Sequence, residues 1–190
     1  MSPRTKEQNE VIRSEKESLI LDTALTLFAK NGFLATPVSL IAKEAGISKG
    51  LMYNYFKSKE ELLYKIIIGK FELFMNYLKV NDINNVQKNE IINFIDGNLL
   101  LLKQDPDFYK LYFSLSFQPS VFALLEKDFM RILETIAATI NNYYSTAGFE
   151  NSFTKTRFLL AVFDGIGIHY IMDPVGFPLD ETRKMIIDLL

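Results

Sequence analysis

The sequence predicts an all-α protein of about nine helices, arranged as an amino-terminal domain of three helices and a larger carboxy-terminal helical domain. Apolar residues recur every three or four positions through most of the chain, and clusters rich in Gly, Pro and Asn separate these segments. The strict alternation of apolar and polar residues that is typical of a half-buried strand does not occur. We place the domain boundary after residue 60, which divides the chain into residues 1–60 and 61–190.

The first two helices follow from cap and stop signals. Ser14 to Glu17 has the spacing of a capping box and predicts the start of the first helix. Asn31-Gly32 predicts its end, because glycine readily adopts the left-handed conformation found there. Thr36 followed by Pro37 predicts the N-cap and first residue of the second helix, which ends at Gly46.

A glycine turn and a short polar helix come next. Ser48 is the expected cap of the third helix, and Ser58 to Glu61 forms a second capping box that opens a fourth helix to about Lys79. A short apolar helix, a sharp glycine turn and a second short helix are the order of a helix-turn-helix, whose second helix enters the major groove of DNA. DNA binding is therefore the leading hypothesis.

Five further helices are predicted in the carboxy-terminal domain, separated by polar, proline or glycine breaks. Proline cannot continue a helical hydrogen-bond ladder but is well tolerated in a first turn, which predicts new helices near Pro106 and Pro119. The predicted helices are residues 86–104, 106–117, 120–144, 152–172 and 179–190.

The composition excludes several kinds of chemistry. The chain of 190 residues is 48% hydrophobic and 23% charged, which is typical of a folded globular protein. It has no cysteine, so disulfides, thiolate metal sites and thiol nucleophiles are excluded. Residues 1–11 are polar and predict no signal peptide, while the most apolar window, residues 158–172, is interrupted by Asp164 and His169. We expect a cytoplasmic protein without membrane contact, cofactor or metal.

Charge is distributed unevenly along the chain. The net charge is −2, but residues 1–59 contain nine Lys/Arg and six Asp/Glu, whereas residues 60–190 contain twelve and seventeen. The positive end is thus the end that carries the helix-turn-helix pattern. An electropositive surface there would attract the phosphates of DNA.

The candidate DNA contacts combine hydroxyl, amide and lysine groups with one glycine. The hydroxyls of Thr36 and Ser48 lie at helix starts, where phosphate contacts and capping are about equally expected. Lys49 suits a phosphate or guanine, and Gly50 lets the backbone approach the groove closely. One of the two tyrosines is expected to face DNA, with Tyr53 favoured. The full set is Thr36, Ser39, Ser48, Lys49, Gly50, Tyr53, Asn54, Tyr55 and Lys59.

Residues 14–63 resemble the amino-terminal domain of the TetR/AcrR family of transcriptional regulators. The resemblance rests on Ile20 to Ala24, Leu27-Phe28, Gly32-Phe33, Ala35-Thr36, Ile41-Ala42, Ala45 to Gly50, Tyr53, Phe56 and Ser58 to Glu60. Pro37 departs from the residues common in the family, and Asn54 and Tyr55 occupy variable positions. The resemblance implies a homodimer that blocks transcription at a DNA operator and is released when a small molecule binds the carboxy-terminal domain.

Aromatic residues are concentrated in the carboxy-terminal domain, where 20 of the 25 Phe and Tyr residues follow residue 60. They could line an apolar ligand cavity, or simply fill the core of a helical bundle. Asn98 and Asp164 stand within apolar helix faces, where a buried polar group needs a partner, either a ligand or another part of the protein. The candidate ligand contacts are Phe94, Asn98, Tyr112, Phe113, Phe117 and Asp164.

A dimer interface is predicted on the last two helices. Gly165 and Gly167 each cost about 1 kcal/mol of helix stability relative to alanine, which close approach of another helix would offset. By resemblance, the last two long helices of each subunit form a four-helix bundle. The predicted interface residues are Phe158, Gly165, Gly167, His169, Tyr170 and Met185.

The sequence also bears on two other functions. A helical di-iron enzyme needs Glu-x-x-His pairs, but Ile166 stands three residues before His169, the only histidine. We therefore expect no enzyme and no catalytic residue. A regulator of this fold could also activate transcription or have lost DNA binding, although the intact cap, turn and lysine pattern argues against that loss.

Overall fold

The computed structural model describes residues 5–190, and these residues form ten α-helices and no β-strand. Residues 1–4, part of the polar amino terminus for which no signal peptide is predicted, lie outside the described residues. The helices are α1 (Lys6–Asn31), α2 (Val38–Glu44), α3 (Lys49–Tyr55), α4 (Lys59–Tyr77), α5 (Lys88–Gln104), α6 (Pro106–Ser116), α7 (Pro119–Phe122), α8 (Glu126–Thr146), α9 (Ser152–Met172) and α10 (Leu179–Asp188). Among them, none is long and apolar enough to cross a bilayer.

The predicted all-α fold is confirmed, with one helix more than the sequence indicates. The predicted seventh helix is two helices in the structure, because the chain turns at residues 123–125 between α7 and α8. The remaining carboxy-terminal helices lie close to their predicted bounds, and α9 has the predicted bounds of 152–172.

Two helix starts in the amino-terminal region differ from prediction. α1 begins at Lys6, eight residues before Ser14, because Thr5 and Gln8 form a reciprocal capping box and no helix breaker follows. The predicted cap at Thr36 is also wrong. α2 begins at Val38 after Pro37, whose backbone is extended, and no side chain caps this helix.

The chain divides into two compact units, Met1–Ile67 and Ile68–Leu190. The first unit packs α1, α2, α3 and the start of α4 around buried apolar side chains. Phe28 and Phe33 meet edge to face in this core, with ring centroids 5.2 Å apart. The other buried members include Ile20, Ala24, Ile41, Ala42, Met52, Phe56, Leu62 and Leu63.

The second unit is built on the antiparallel pair α8 and α9, against which α5, α6 and α10 pack. Arg183 on α10 donates to both carboxylate oxygens of Asp96 on α5, at 2.5 and 2.7 Å. This bidentate ion pair fixes α10 against α5. Lys70 on α4 forms an ion pair with Asp105, which also accepts from the Phe108 amide and caps α6.

Glu90 is a buried carboxylate at the start of α5. It accepts hydrogen bonds from the Asn81 backbone amide (2.8 Å), the Asn81 side-chain amide (2.7 Å) and the Gln87 backbone amide (2.9 Å). These donors favour the charged form, and the Gln87 amide above all holds the pKa of Glu90 below its ordinary value of 4.5. The carboxylate therefore ties the polar loop before α5 to the helix start.

Glu90→Gln is expected to lower the free energy of unfolding by about 1–3 kcal/mol at neutral pH, because one carboxylate oxygen becomes an amide that faces donors. The folded pKa lies below the unfolded one, so the contribution is full above pH 4.5 and is lost as the pH falls through the folded pKa. The difference between wild type and variant should shrink accordingly in urea unfolding from pH 7 to pH 3. The exposed Glu72→Gln serves as control, and a pH-independent difference would contradict the prediction.

Candidate nucleic-acid interface and ligand cavity

The turn between α2 and α3 is held by backbone hydrogen bonds that require a left-handed residue. Gly46 has φ +66°, and this conformation lets the Ile47 amide donate back to the Ala42 carbonyl at 2.9 Å. The Ser48 hydroxyl then accepts from the Leu51 amide at 3.1 Å and caps α3. The predicted glycine turn and the predicted Ser48 cap are therefore both present.

One face of α3 is open to solvent and the other is packed. Met52 and Phe56 are buried, whereas Tyr53 is 46% exposed. Because positions spaced by four lie on the same side of a helix, the exposed residues form a continuous polar surface. Its members are Lys49, Gly50, Tyr53 and Asn54, and the space beside Gly50 is empty to at least 4 Å from an added Cβ.

The remaining candidates on this surface differ in accessibility. Tyr55 is half-buried, with the guanidinium of Arg13 lying 5.7 Å from its ring centroid, so its ring packs towards α1. The difference in exposure favours Tyr53 over Tyr55 as the tyrosine available to DNA. Ser39 is exposed in the first turn of α2. Leu51 is 40% exposed and is an apolar side chain suited to a thymine methyl group.

Thr36 is fully buried and is not available to a phosphate. Its hydroxyl donates to the Gly32 carbonyl at 2.8 Å, and its backbone amide donates to the Phe33 carbonyl at 3.3 Å. These bonds close the turn between α1 and α2. The structure thus contradicts a phosphate contact by this side chain, because both of its donors are used within the unit.

Lys59 has a structural partner that the sequence does not reveal. Its ammonium donates to the carbonyls of Phe33 (2.8 Å) and Leu34 (3.2 Å) and lies 4.5 Å from the Phe33 ring centroid. Lys59 is predicted to contact the DNA backbone, but its ammonium is engaged by these acceptors within the first unit. The side chain instead fastens α4 to the turn between α1 and α2.

The second unit contains a cavity of about 360 Å³, a size within the range of ligand sites. Its polar members are Asn98 on α5, Glu134 on α8, and Arg157 and Asp164 on α9. The Tyr109 hydroxyl on the wall donates to the Asn98 backbone carbonyl at 3.2 Å. The aromatic walls are Phe71, Phe74, Phe94, Phe108, Tyr109, Tyr112, Phe113 and Phe163.

Five of the six predicted ligand contacts line this cavity: Phe94, Asn98, Tyr112, Phe113 and Asp164. Phe117 does not, since it follows α6 and is 82% exposed. Asp164 was expected to be buried but is exposed at the cavity edge. Partial desolvation there still raises the pKa of its carboxyl. Burial, and secondarily the charge of Asp164, raises the pKa of the Tyr112 hydroxyl.

Residues 20–66 match the family described as bacterial regulatory proteins, tetR family. The matched segment contains the whole α2–turn–α3 arrangement. This amino-terminal segment therefore belongs to the TetR family of bacterial regulatory proteins. The overall fold is similar to that of a solved transcriptional regulator: FadR of Bacillus subtilis, in complex with stearoyl-CoA, superposes with a TM-score of 0.74 at 20% identity over 90% of this chain and 96% of that one.

Curated relatives described as HTH-type transcriptional regulators match part of this chain. The uncharacterised regulator YerO of Bacillus subtilis is 47% identical over 66 residues, which is 35% of this chain and 23% of the relative. IcaR of Staphylococcus epidermidis, the negative regulator of the biofilm operon icaADBC, is 28% identical over 65% of this chain and 64% of its own. The chain thus matches less than two thirds of the length of these relatives.

The predicted dimer residues do not all lie on one surface. Phe158 and Met185 are 56% and 69% exposed. His169 is exposed and stacks on Phe177, and Tyr170 meets the same ring edge to face. Gly165 has open space where a Cβ would be.

Gly167 was predicted to lie in the dimer interface, but it packs inside its own chain. It is buried, and an added Cβ would lie 3.0 Å from the Phe113 ring. The close approach that explains this glycine is therefore made by α6 of the same chain. It falls on the inner face of α9, two positions from Gly165 and so on the opposite side of the helix.

Proposed function

We propose that this chain is a homodimeric transcriptional repressor that leaves a palindromic operator when a small apolar or amphipathic ligand binds its second unit. The observation that carries the proposal is the capped helix α3, which presents Lys49, Gly50, Tyr53 and Asn54 on one exposed face. Residues 1–60 would then read DNA, and residues 61–190 would bind the ligand and dimerise. The name of IcaR, a negative regulator, is consistent with repression.

The proposed DNA surface consists of α3 and the first turn of α2. Lys49 offers an ammonium to a phosphate or to guanine, Asn54 offers an amide to a base edge, and Tyr53 offers both a ring and a hydroxyl. The Ser48 oxygen accepts from Leu51, but its hydroxyl proton remains available to a phosphate oxygen. Ser39 and Tyr55 complete the proposed set, from which Thr36 and Lys59 are omitted.

The proposed dimer surface lies on α9 and α10. The side chains of Phe158, Ile168 and Met172 are 56%, 38% and 76% exposed, and they recur at helical spacing along one side of α9 with Gly165 among them. Met185 adds an exposed side chain on α10. Large exposed apolar residues in such a row are typical of protein interfaces. A two-fold dimer would set its recognition helices roughly 34–36 Å apart, one turn of DNA.

Ligand control follows from differential affinity. A ligand that binds the cavity more tightly in a conformation with misplaced recognition helices shifts the population away from the DNA-bound form. The FadR structure with stearoyl-CoA provides a family member of this fold that takes an amphipathic ligand. The aromatic cavity is the proposed site in this chain.

The test is selection of a randomised duplex pool with the purified full-length protein, together with sedimentation of the protein alone. We expect a near-palindromic sequence with half-sites centred about one helical turn apart, and a dimer in solution. Affinity for that duplex should fall steeply with salt because phosphates are neutralised on binding. A monomer in solution, or enrichment of a single half-site, would contradict the dimer.

If selection enriches no sequence, two explanations are possible, and mass spectrometry of the denatured protein distinguishes them. A ligand carried through purification would be released from the denatured protein, and its removal should restore selection. If no ligand is found and the helical content is normal, the DNA-binding proposal fails.

A further inference from the structure

The chemistry of the cavity in the second unit is specific enough to indicate the charge of its ligand. Its aromatic rings form a connected wall: Tyr112 stacks near-parallel on Phe108 at 6.4 Å and contacts Phe113 at 4.9 Å between centroids. Phe71 meets Tyr112 edge to face at 5.6 Å. Such a wall offers apolar area and, on the ring faces, negative electrostatic potential that attracts cations.

The two carboxylates of the cavity lie at the same level of the α8–α9 pair. The hydroxyls of Ser145 on α8 and Ser152 on α9 are hydrogen bonded at 2.9 Å, which fixes the register of these antiparallel helices. Glu134 precedes Ser145 by as many residues as Phe163 follows Ser152. Because the two helices are antiparallel, Glu134 therefore lies level with Phe163, the neighbour of Asp164. The negative charge is thus concentrated at one end of the cavity.

The single cation of the cavity lies away from this end. Arg157 precedes Asp164 by seven residues, which places it two turns, or roughly 10 Å, along α9. None of the three charged groups forms an ion pair with another described residue. Asp164 in particular is partly desolvated beside Tyr112 without a counter-ion, an arrangement that a bound cation would stabilise.

We propose that the cavity binds a cationic amphipath, with an organic ammonium head beside Asp164 and Glu134 against the Tyr112 ring and an apolar body among the phenylalanines. This inference rests on the proposed ligand-controlled function and specifies the ligand class. An acyl anion would place its charge beside the two carboxylates, or else would have to reach Arg157 with its head. An organic cation, in contrast, would interact favourably with both the aromatic ring faces and the two carboxylates.

The test is calorimetric titration of the purified protein with three eight-carbon probes: octyltrimethylammonium, octanoate and 1-octanol. We expect the ammonium to bind at least roughly tenfold more tightly than the other two. Asp164→Asn, which keeps the shape of the side chain, should weaken the ammonium by at least about tenfold and leave 1-octanol within about twofold. Glu150→Gln removes an exposed carboxylate outside the cavity and should change neither.

Three outcomes would overturn the inference. Octanoate could bind best and lose its affinity in Arg157→Gln, which would identify an anionic ligand. All three probes could bind with equal affinity, unchanged in Asp164→Asn, which would identify an apolar ligand. No probe could bind at millimolar concentration while the thermal melt shows a folded protein, which would exclude this class of ligand.

The result is separable from the proposed function because calorimetry requires no DNA. If the ammonium binds as expected and leaves the selected operator complex intact, the ligand class stands and the release step fails. If the operator is found but the ammonium does not bind, the DNA-binding function stands and the cationic ligand is wrong.

Discussion

Replacing Lys49 and Tyr53 together with alanine is expected to reduce affinity for the selected operator by at least roughly 100-fold. Both side chains project from the exposed face of α3, and a dimer loses each contact twice. Neither belongs to the core of the first unit, which is filled from the opposite face by Met52 and Phe56. Folding and dimerisation should therefore be unaffected. Fluorescence anisotropy of the labelled duplex measures the affinity.

The charge-matched control is Lys30→Ala. Lys30 is exposed in the last turn of α1, so this variant removes one positive charge from the same unit without touching α3. It should retain most of the specific affinity. Equal losses in Lys30→Ala and in the double variant would mean that net charge alone drives binding, and dissociation of the double variant into monomers would contradict the separation of DNA reading from dimerisation.

Local signals were sufficient to predict the helix-turn-helix. The left-handed Gly46 and the cap at Ser48 act on neighbours within five residues, so the sequence pattern contains the whole interaction. Pro106 likewise located the start of α6, and a polar loop and a glycine break located the starts of α5 and α9, each to within two residues. The family resemblance is confirmed for the same reason, since it depends on this segment.

Side-chain roles that depend on distant partners were not predictable. Lys59 is predicted to contact DNA because its acceptor within the protein, the carbonyl of Phe33, lies 26 residues earlier and leaves no local signal in the sequence. Gly167 was assigned to a partner subunit because its neighbour Phe113 belongs to another helix. A helical pattern shows which residues share a face, but it does not show what that face meets. The aromatic content is compatible with a cavity or with a filled core, and no pattern in the sequence marks Arg157 and Glu134 as cavity residues.

Gly97→Ala is expected to destabilise the second unit strongly. An added Cβ would lie 2.1 Å from Cγ and 2.6 Å from Cβ of Tyr77, so α4 itself or the whole tyrosine side chain would have to move. Alanine is favoured over glycine in a helix interior by about 1 kcal/mol. Overpacking at this distance should cost about 3 kcal/mol, so the net change in the free energy of unfolding should be destabilising. Thermal and urea unfolding measure the change, and an unchanged midpoint would contradict the close crossing of α4 and α5.

Gly165→Ala is the matched control, because an added Cβ there meets nothing within 4 Å in its own chain. Helix propensity alone should then stabilise the fold by up to about 1 kcal/mol. The same methyl group would obstruct a partner helix packed on the proposed α9 surface, so dimerisation should weaken while the fold gains stability. Unfolding at several protein concentrations separates the two effects, since only the dimer contribution depends on concentration. Stabilisation with unchanged dimer affinity would place the interface away from Gly165.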